Sequence, residues 1–420
     1  MTAIDRRRWL KLVGVGAAGS ALGCGDNLGA TTDEASAIFE PTQDALLVGV
    51  WSRFARAATV EVRDGGALVR TSTLVLAPGT PAAIDLVGLD ADRAYDIAVT
   101  GVVERVHAVR TAPPPEATRP VRIAVSADFD PSPEFDSDLC EHLIEAAPEL
   151  LVTIGDFPYT DNGPPAETVE AYRERHAQLR TATRMRPVLE AVALRSIYDD
   201  HEFRNNWDAA FVAAEPQRYA AAMQVWDEFF PVRDAAGEIR YRSWRWGAHL
   251  ECFLLDCRRF RSADGAPDDA RKTMLGEVQK AWLLAGLAAS TATFKLVFTS
   301  VPLDYGTGND DWSSFATERG EILDAVATAQ ISGLVFISGD QHWFASQRHA
   351  HGIREYQVGP IARGLGVAPA PVPGVVFRSA QYNVGLIDID GSHLTFSGLG
   401  ADGQRFFVET LTPDQLTPTK

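Results

Sequence analysis

From residue 119 onwards the chain alternates short apolar runs of strand type with longer segments of helical periodicity. This alternation is typical of a layered α/β domain, in which helices cover a largely parallel sheet. The apolar runs are 121–127, 150–154, 294–300 and 333–338, and the helical segments are 134–147, 166–181, 209–230, 275–289 and 317–329.

Acidic residues and histidines stand directly after four strand-like segments: Ser126-Ala127-Asp128, Gly155-Asp156, Asp199-Asp200-His201-Glu202 and Gly339-Asp340-Gln341-His342. The carboxyl ends of strands in α/β sheets form the crevice where ligands bind. We therefore expect side chains from distant parts of the chain to meet there. A glycine before Asp156 and Asp340 fits a tight turn that leaves room for a ligand.

These four segments supply the ligand types of a metal centre. Hard cations prefer oxygen and imidazole ligands held on rigid elements. Two such cations close together polarise a phosphoryl oxygen and generate hydroxide at neutral pH. The sequence therefore predicts a metal centre suited to the hydrolysis of phosphate esters.

Residues 41–112 carry a different pattern, with short alternating β runs separated by turn signals such as Asp64-Gly65-Gly66. This spacing is typical of a small all-β sandwich of immunoglobulin or fibronectin type. The segment holds no cluster of His, Asp or Cys, so we expect catalysis elsewhere. The prolines from Pro113 to Pro115 predict a stiff linker, and the catalytic domain is expected over residues 119–420.

Residues 1–24 have the pattern of an export signal. Arg6-Arg7-Arg8-Trp9-Leu10-Lys11 resembles the twin-arginine consensus, and a Gly- and Ala-rich apolar stretch follows it. We expect export by the twin-arginine machinery to the periplasm or the extracellular face. The ending Ala21-Leu22-Gly23-Cys24 is similar to a lipoprotein box, which would acylate Cys24 and attach the protein to a membrane. An unlipidated exported protein is the alternative, and residues 25–40 are expected to form a tether.

The charge balance excludes some partners. The 420 residues carry a formal net charge of −17, and such an acidic surface repels nucleic acid and anionic membranes at long range. No run reaches the roughly 18 apolar residues of a membrane span. Cys252 and Cys257 alternate with apolar residues on a predicted strand, so we expect both to be buried free thiols.

In their order and spacing, the four acidic segments resemble those of the alkaline phosphatase D family of metallophosphoesterases. The N-terminal sandwich matches that family's layout, and further segments agree: Leu255-Asp256-Cys257-Arg258, Lys272-Thr273-Met274-Leu275-Gly276 with Gln279, Val301-Pro302, and Asp311-Trp312 with Glu318-Arg319. The resemblance covers nearly the whole chain after residue 24. It implies a calcineurin-like α/β/β/α layered domain preceded by the small sandwich.

The resemblance also implies the metals and the residues that bind them. The family binds one iron-like ion, Fe(3+), and one or two Ca(2+) ions. Asp156 would bridge the metals and Tyr159 would be a phenolate ligand of the iron. The other ligands would be Asp128, Asp200, Asn206, Asp340 and His342.

One position departs from the family pattern. The family usually has Ser-Cys-Gln after its first strand, with the cysteine as an iron ligand, whereas this chain has Ala127-Asp128-Phe129. A carboxylate is a harder donor than a thiolate and favours Fe(III), Mn or Zn without abolishing the site. Metal identity therefore stays open, while hydrolytic activity is still expected.

The family's catalytic residues map onto His201, Arg258 and Asp156. By the resemblance, the metals would supply a hydroxide for in-line attack on phosphorus, Arg258 would help to stabilise the equatorial oxygens, and His201 would protonate the leaving group. We expect a monomer that acts on a small-molecule phosphate ester. The sequence has no Gly-Xaa-Ser-Xaa-Gly elbow that would suggest a serine nucleophile.

Several alternatives stay open. Asp128 and Asn206 could be turn residues, Tyr159 could simply pack at a strand end, and Arg258 could be a structural ion-pair partner of Asp256. The protein could be a phosphodiesterase or phospholipase that acts on headgroup or teichoic-type esters, or a catalytically silent surface-binding module. A purple acid phosphatase is disfavoured, because that family has His-Xaa-His where this chain has Asp340-Gln341-His342.

Overall fold

The alternation of strands and helices forms two large sheets that pack face to face in the computed structural model, which describes residues 33–132, 135, 137–233 and 239–419. The strands are β1 (Glu34–Phe39), β2 (Ala45–Ser52), β3 (Arg56–Asp64), β4 (Ala67–Leu76), β5 (Ala82–Val87), β6 (Ala94–Thr100), β7 (Arg105–Arg110), β8 (Val121–Ser126), β9 (Leu150–Ile154), β10 (Ala193–Ile197), β11 (Arg242–Trp246), β12 (Leu250–Leu254), β13 (Phe294–Phe298), β14 (Leu334–Ser338), β15 (Phe344–Arg348), β16 (Arg354–Gln357), β17 (Val375–Ser379), β18 (Asn383–Ile389), β19 (Leu394–Gly400) and β20 (Arg405–Leu411). The helices are α1 (Leu139–Ala146), α2 (Val169–Thr181), α3 (Met185–Ala191), α4 (Ala209–Ala214), α5 (Pro216–Phe229), α6 (Gly276–Ala289) and α7 (Ala316–Thr328).

The first large sheet has nine strands in the order β20-β19-β18-β8-β9-β10-β1-β2-β5, and the second has seven in the order β11-β12-β13-β14-β16-β15-β17. At their centres β8, β9 and β10 run parallel in the first sheet, as do β12, β13 and β14 in the second. Parallel strands covered on both faces are apolar along their whole length, and every residue of β9 is buried.

The core forms in three layers because side chains alternate between the two faces of each strand. Val152 and Ile154 of β9 join the cluster between the two sheets, whereas Leu151 joins the cluster formed with helices α1 to α5. On the second sheet, Val297 and Phe336 pack with α6 and α7. The order of layers is therefore α/β/β/α, which confirms the predicted fold.

The predicted helix over 209–230 is two helices. Asp208 caps α4 by accepting hydrogen bonds from the backbone N–H groups of Ala210 and Phe211. Pro216 then begins α5, and Glu215 before it leaves the helical region with φ −128° and ψ 56°. Proline lacks a backbone N–H and disfavours a helical conformation in the residue before it, so the break lies where the sequence places Pro216.

The predicted N-terminal sandwich is present as strands, but it does not stand apart from the rest. Strands β4-β3-β6-β7 form a separate sheet, whereas β1, β2 and β5 belong to the nine-stranded sheet. Strand β1 pairs in parallel with β10, and the described residues form one compact unit. The tether expected over residues 25–40 is therefore corrected from Glu34 onwards, because Glu34–Phe39 is a largely buried strand.

A buried ion-pair cluster fastens this junction. Glu40 follows β1, and its carboxylate pairs with Arg195 of β10 and with Arg242 of β11. Burial alone would raise the pKa of Glu40, but the two guanidinium groups outweigh it and lower that pKa. Removing Glu40 would leave two guanidinium groups without their shared carboxylate, so this cluster ties the N-terminal strands to β10 and β11.

Several predictions lie outside the described residues: the export signal over 1–24, the acylation of Cys24 and the first part of the tether. None of the helices in the described ranges has both the length and the apolar character that a membrane crossing requires. Cys252 and Cys257 are buried and free, as predicted.

Candidate metal centre

The acidic segments meet at the shared carboxyl-terminal edge of the two sheets. Asp128, Asp156 and Asp200 follow β8, β9 and β10 of the first sheet, and Asp340 follows β14 of the second. The candidate ligand atoms form three groups, and within each group they lie within 4.8 Å of one another. The groups are Asp128, Asp156 and His342; Asp156, Asp200 and His201; and Asp199, Asp200 and Asp340. Asp156 belongs to the first two groups and Asp200 to the last two, so the three groups form one continuous centre.

The backbone at the centre is unusual, because five of the predicted metal ligands have left-handed φ angles between 53° and 73°: Asp128, Asp156, Asn206, Asp340 and His342. Residues other than glycine adopt this region rarely, and at a cost of order 1–3 kcal/mol each. Such residues cluster at functional sites, where the surrounding structure holds them in place. The ligand atoms of Asp128, Asp156, Asp340 and His342 all fall in the three groups above, so these four turns bring their side chains to the centre.

Two glycines allow the turns to approach one another. A Cβ at Gly155 would overlap the side chain of Asp199, and a Cβ at Gly359 would overlap the carboxylate of Asp128. Both glycines also have positive φ, at 107° and 93°. These positions therefore require glycine both for space and for backbone conformation.

Tyr159 and His342 complete the first group. The Tyr159 hydroxyl donates to Asp156 Oδ2 at 2.8 Å and lies 2.8 Å from His342 Nε2. His342 Nδ1 lies 2.7 Å from the carbonyl oxygen of Gly364, so Nδ1 carries the proton and the Nε2 lone pair faces the centre. Burial, and then the charge of Arg363, lower the pKa of His342 to about 4, which keeps the ring neutral as a metal ligand requires.

Three carboxylate oxygens of the centre have no hydrogen-bond partner among the described residues. Both oxygens of Asp128 and Oδ1 of Asp200 are buried without a hydrogen bond to any described residue. Burial, followed by repulsion from neighbouring carboxylates and acids, raises the pKa of Asp128, Asp156 and Asp340 well above the usual value. Buried unpaired carboxylates are strongly unfavourable unless a cation compensates them. The donor set of oxygens and imidazoles therefore fits bound metal ions.

Arg258 forms buried ion pairs. Its side chain is fully buried, its Nε and Nη2 donate to the two oxygens of Asp199 at 2.8 and 2.6 Å, and Nη2 also donates to Asp310 at 2.9 Å. This guanidinium pairs with Asp199 and Asp310 and offsets the negative charge around the third group, while its Nη1 has no hydrogen-bond partner among the described residues. A clamp on the substrate phosphate by Arg258 stays a prediction.

His201 lies at the rim of the second group. Its Nδ1 is 2.6 Å from Asp161 Oδ1, and its ring lies 4.2 Å from the ring of Tyr159. Burial opposes a positive charge on the imidazole, but Asp200 and Asp161 outweigh it and raise the pKa of His201 to about 9. The side chain is 18% exposed, so its Nε2 edge can meet a substrate.

Asn206 is exposed, and its described contact is made by the backbone, whose N–H donates to Asp200 Oδ2 at 2.6 Å. That contact fits the turn interpretation of Asn206, and binding of a metal by its side chain stays a prediction.

Sequence reasoning missed several residues of the centre, namely Asp161, Asp310 and Arg363, and it included Asp199 in a motif without assigning it a function. Asp161 follows Tyr159 closely, but nothing in the sequence indicates that it pairs with His201. Asp310 precedes the noted Asp311-Trp312, and Arg363 lies in a stretch that resembles no motif. The detectable signal was the proximity of Asp161 and Asp310 to segments already singled out.

Two packed sheets between helical layers, with carboxylates and imidazoles at the strand ends of both, define a metallophosphoesterase fold. Among solved structures, the chain is similar to PhoD, with a TM-score of 0.78 and 19% identity over 92% of this chain and 90% of that one. It is also similar to the purple acid phosphatase PPD1 from yellow lupin seeds, with a TM-score of 0.67 and 13% identity over 91% of this chain and 75% of that one. At these identities the likeness concerns the fold.

The sequence comparisons identify the family. A family model described as PhoD-like phosphatase matches residues 138–368, more than half of the chain. Alkaline phosphatase D of Bacillus subtilis (strain 168) is 25% identical over an alignment of 248 positions, and the match covers 48% of this chain and 42% of that protein. The chain therefore belongs to the PhoD-like phosphatase family, although the alignment spans less than half of this relative.

Proposed function

We propose that the protein is an exported, metal-dependent phosphoric ester hydrolase. The observation that carries the proposal is the row of three linked ligand groups with buried, unpartnered carboxylate oxygens, in a chain of a phosphatase family. Metal ions bound there would polarise a phosphoryl oxygen and supply a nucleophile derived from water at neutral pH. Export, and attachment through Cys24, rest on the twin-arginine and lipoprotein patterns of the first 24 residues.

The residues divide the work as follows. Asp156 is shared by two ligand groups, which supports a bridging position between two ions. Asp128, Tyr159 and His342 offer hard oxygen and imidazole donors for an iron-like ion, with Mn or Zn as alternatives. Asp200 and Asp340 offer carboxylate oxygens, which Ca(2+) prefers.

His201 is the proposed general acid. The hydrogen bond between Nδ1 and Asp161 fixes the ring and leaves Nε2 to deliver a proton to the departing alcohol. A positioned acid of this kind contributes roughly 100- to 10,000-fold to a rate. Loss of His201 should therefore lower kcat more for substrates with poor leaving groups than for activated aryl esters.

The test combines metal analysis with hydrolysis. The purified protein is analysed for metals by mass spectrometry, its visible spectrum is recorded, and its turnover of a phosphomonoester and a phosphodiester is compared. Asp156→Asn should lose metal and at least about 100-fold of the activity, because it removes the shared ligand. The exposed Asp402→Asn serves as the matched control and should change neither.

The outcomes separate the alternatives. A charge-transfer band that disappears in Tyr159→Phe would identify an iron–phenolate contact, and the ratio of the two turnover rates would assign mono- or diesterase preference. A protein that binds no metal and hydrolyses neither ester would overturn the proposal and leave the surface-binding module.

A further inference from the structure

A short segment before Arg363 is tied to the strand that carries Asp128. The backbone N–H of Ile361 donates to the carbonyl of Ala127 at 3.1 Å, and that of Ala362 donates to the carbonyl of Asp128 at 3.2 Å. The next residue, Gly364, accepts the hydrogen bond from His342. Arg363 therefore stands between two residues that are fixed to the metal centre.

Two aromatic rings hold the guanidinium of Arg363. Its Cζ lies 4.5 Å from the ring centroid of Tyr159 and 4.7 Å from that of Phe135. Cation–π contacts of this kind fix the plane of the group while its N–H edge keeps its donors. The side chain is 22% exposed, so this edge can reach solvent and an incoming ligand.

The guanidinium of Arg363 forms an ion pair with Asp130 that does not use all of its N–H donors. Arg363 Nη1 lies 3.3 Å from Asp130 Oδ2, and Nε is buried with no hydrogen bond to a described residue. The two oxygens of Asp130 already accept hydrogen bonds from the backbone N–H of Ser132 and from Asn162 Nδ2, at 2.9 and 2.5 Å. Asp130 thus has hydrogen-bond donors besides Arg363, and the exposed part of the Arg363 side chain stays open to a ligand.

A phosphate dianion at this centre would face the metal ions proposed there, and its remaining oxygens need a fixed cation with free donors beside them. Arg258 is less suited to this need, because it is fully buried and bonded to Asp199 and Asp310. We propose that Arg363 binds the non-bridging oxygens of the substrate phosphate, and likewise orthophosphate as product. This proposal rests on the proposed function and assigns the recognition of phosphate to a residue outside the family motifs described above.

The test uses the metal-loaded protein and orthophosphate. Arg363→Gln removes the charge, Arg363→Lys keeps it without the planar fork, and Arg93→Gln removes a surface arginine paired with Asp64 near the four-stranded sheet. Orthophosphate binding is measured by calorimetry and by competitive inhibition of p-nitrophenyl phosphate hydrolysis, and metal content and the visible spectrum are recorded for each variant.

Arg363→Gln should weaken orthophosphate binding at least tenfold and raise KM similarly, with metal content unchanged. Arg363→Lys should fall between it and the wild type, and Arg93→Gln should match the wild type. Unchanged orthophosphate affinity in a folded Arg363→Gln, or in Arg363→Lys if the first variant does not fold, would overturn the proposal. So would loss of metal or a shifted spectrum at unchanged phosphate affinity, since Arg363 would then act through Tyr159. A wild-type protein without metal and turnover would instead refute the proposed function.

Discussion

Replacing Arg258 by glutamine separates a supporting arginine from a substrate clamp. The guanidinium is fully buried, and it bonds both oxygens of Asp199 and one oxygen of Asp310. Glutamine cannot supply the positive charge, so Asp199 and Asp310 lose their compensation. Asp199 belongs to the third ligand group, together with Asp200 and Asp340. Breaking a buried ion pair from one side costs about 3–5 kcal/mol.

That cost converts into a measurable melting shift. A compact unit of roughly 390 residues has an unfolding entropy of about 0.8 kcal/mol/K if it unfolds cooperatively. A loss of about 3–5 kcal/mol then lowers Tm by about 4–6 °C. The double variant Asp199→Asn with Arg258→Gln should recover part of this loss, because it leaves one fewer unpaired charge.

The assay is differential scanning calorimetry of the wild type and of the single and double variants, together with metal analysis and steady-state kinetics. If Arg258 supports the site by pairing with Asp199 and Asp310, Arg258→Gln should have a lower Tm and should retain metal less well than the wild type. A Tm within about 1 °C of the wild type, combined with a raised KM, would refute this reasoning and support Arg258 as a clamp.

Two further predictions concern buried titrating groups. Asp128→Asn should raise the Tm of the chelator-treated protein, because it removes an unpaired buried carboxylate, but it should lower the metal content of the loaded protein. Melting curves with and without chelator check this prediction. Tm shifts of the same sign in both would contradict it. His176 is fully buried against Phe229 with unpartnered ring nitrogens, and burial holds its pKa well below 6.5. His176 binds a proton in the unfolded chain at a higher pH than in the folded protein, so the free energy of unfolding falls as pH drops below 6.5. Between pH 6.5 and 5.5, urea unfolding should show that His176→Phe loses about 1 kcal/mol less of this free energy than the wild type. Equal losses would contradict the prediction.

The positions of the strands and of the ligands could be predicted because both depend on local patterns. The apolar run 150–154 predicts a strand, and Gly155-Asp156 directly after it predicts the end of that strand and a turn. The structure has β9 over Leu150–Ile154. Parallel strands place such ends at one edge. The convergence of Asp128, Asp156 and Asp200 followed from that geometry, whereas Asp340 follows a strand of the second sheet and joins them through the packing of the two sheets.

The partners of charged side chains could not be predicted, because they depend on contacts distant in sequence. The nearby Asp256 was proposed as an ion-pair partner of Arg258. The side chain of Arg258 pairs instead with Asp199, 59 residues away. The same holds for Glu40, whose small polar sequence neighbours suggested a tether. Glu40 is buried and pairs with Arg195 and Arg242, which lie 155 and 202 positions further along the chain. No local pattern encodes these pairs, so strand β1 over Glu34–Phe39 was not predicted either.

The centre is assembled against the stability of the fold, and this bears on its function. Its turns hold Asp128, Asp156 and Asp340 in left-handed conformations, and its carboxylates are buried with few protein donors. Each feature costs free energy that an amide or an apolar residue would not. A buried arginine and two sterically required glycines support this arrangement. A structural core would gain nothing from such an arrangement, whereas bound cations would compensate the carboxylates and make the turns useful, so the energetics favour a working metal centre over a silent surface module.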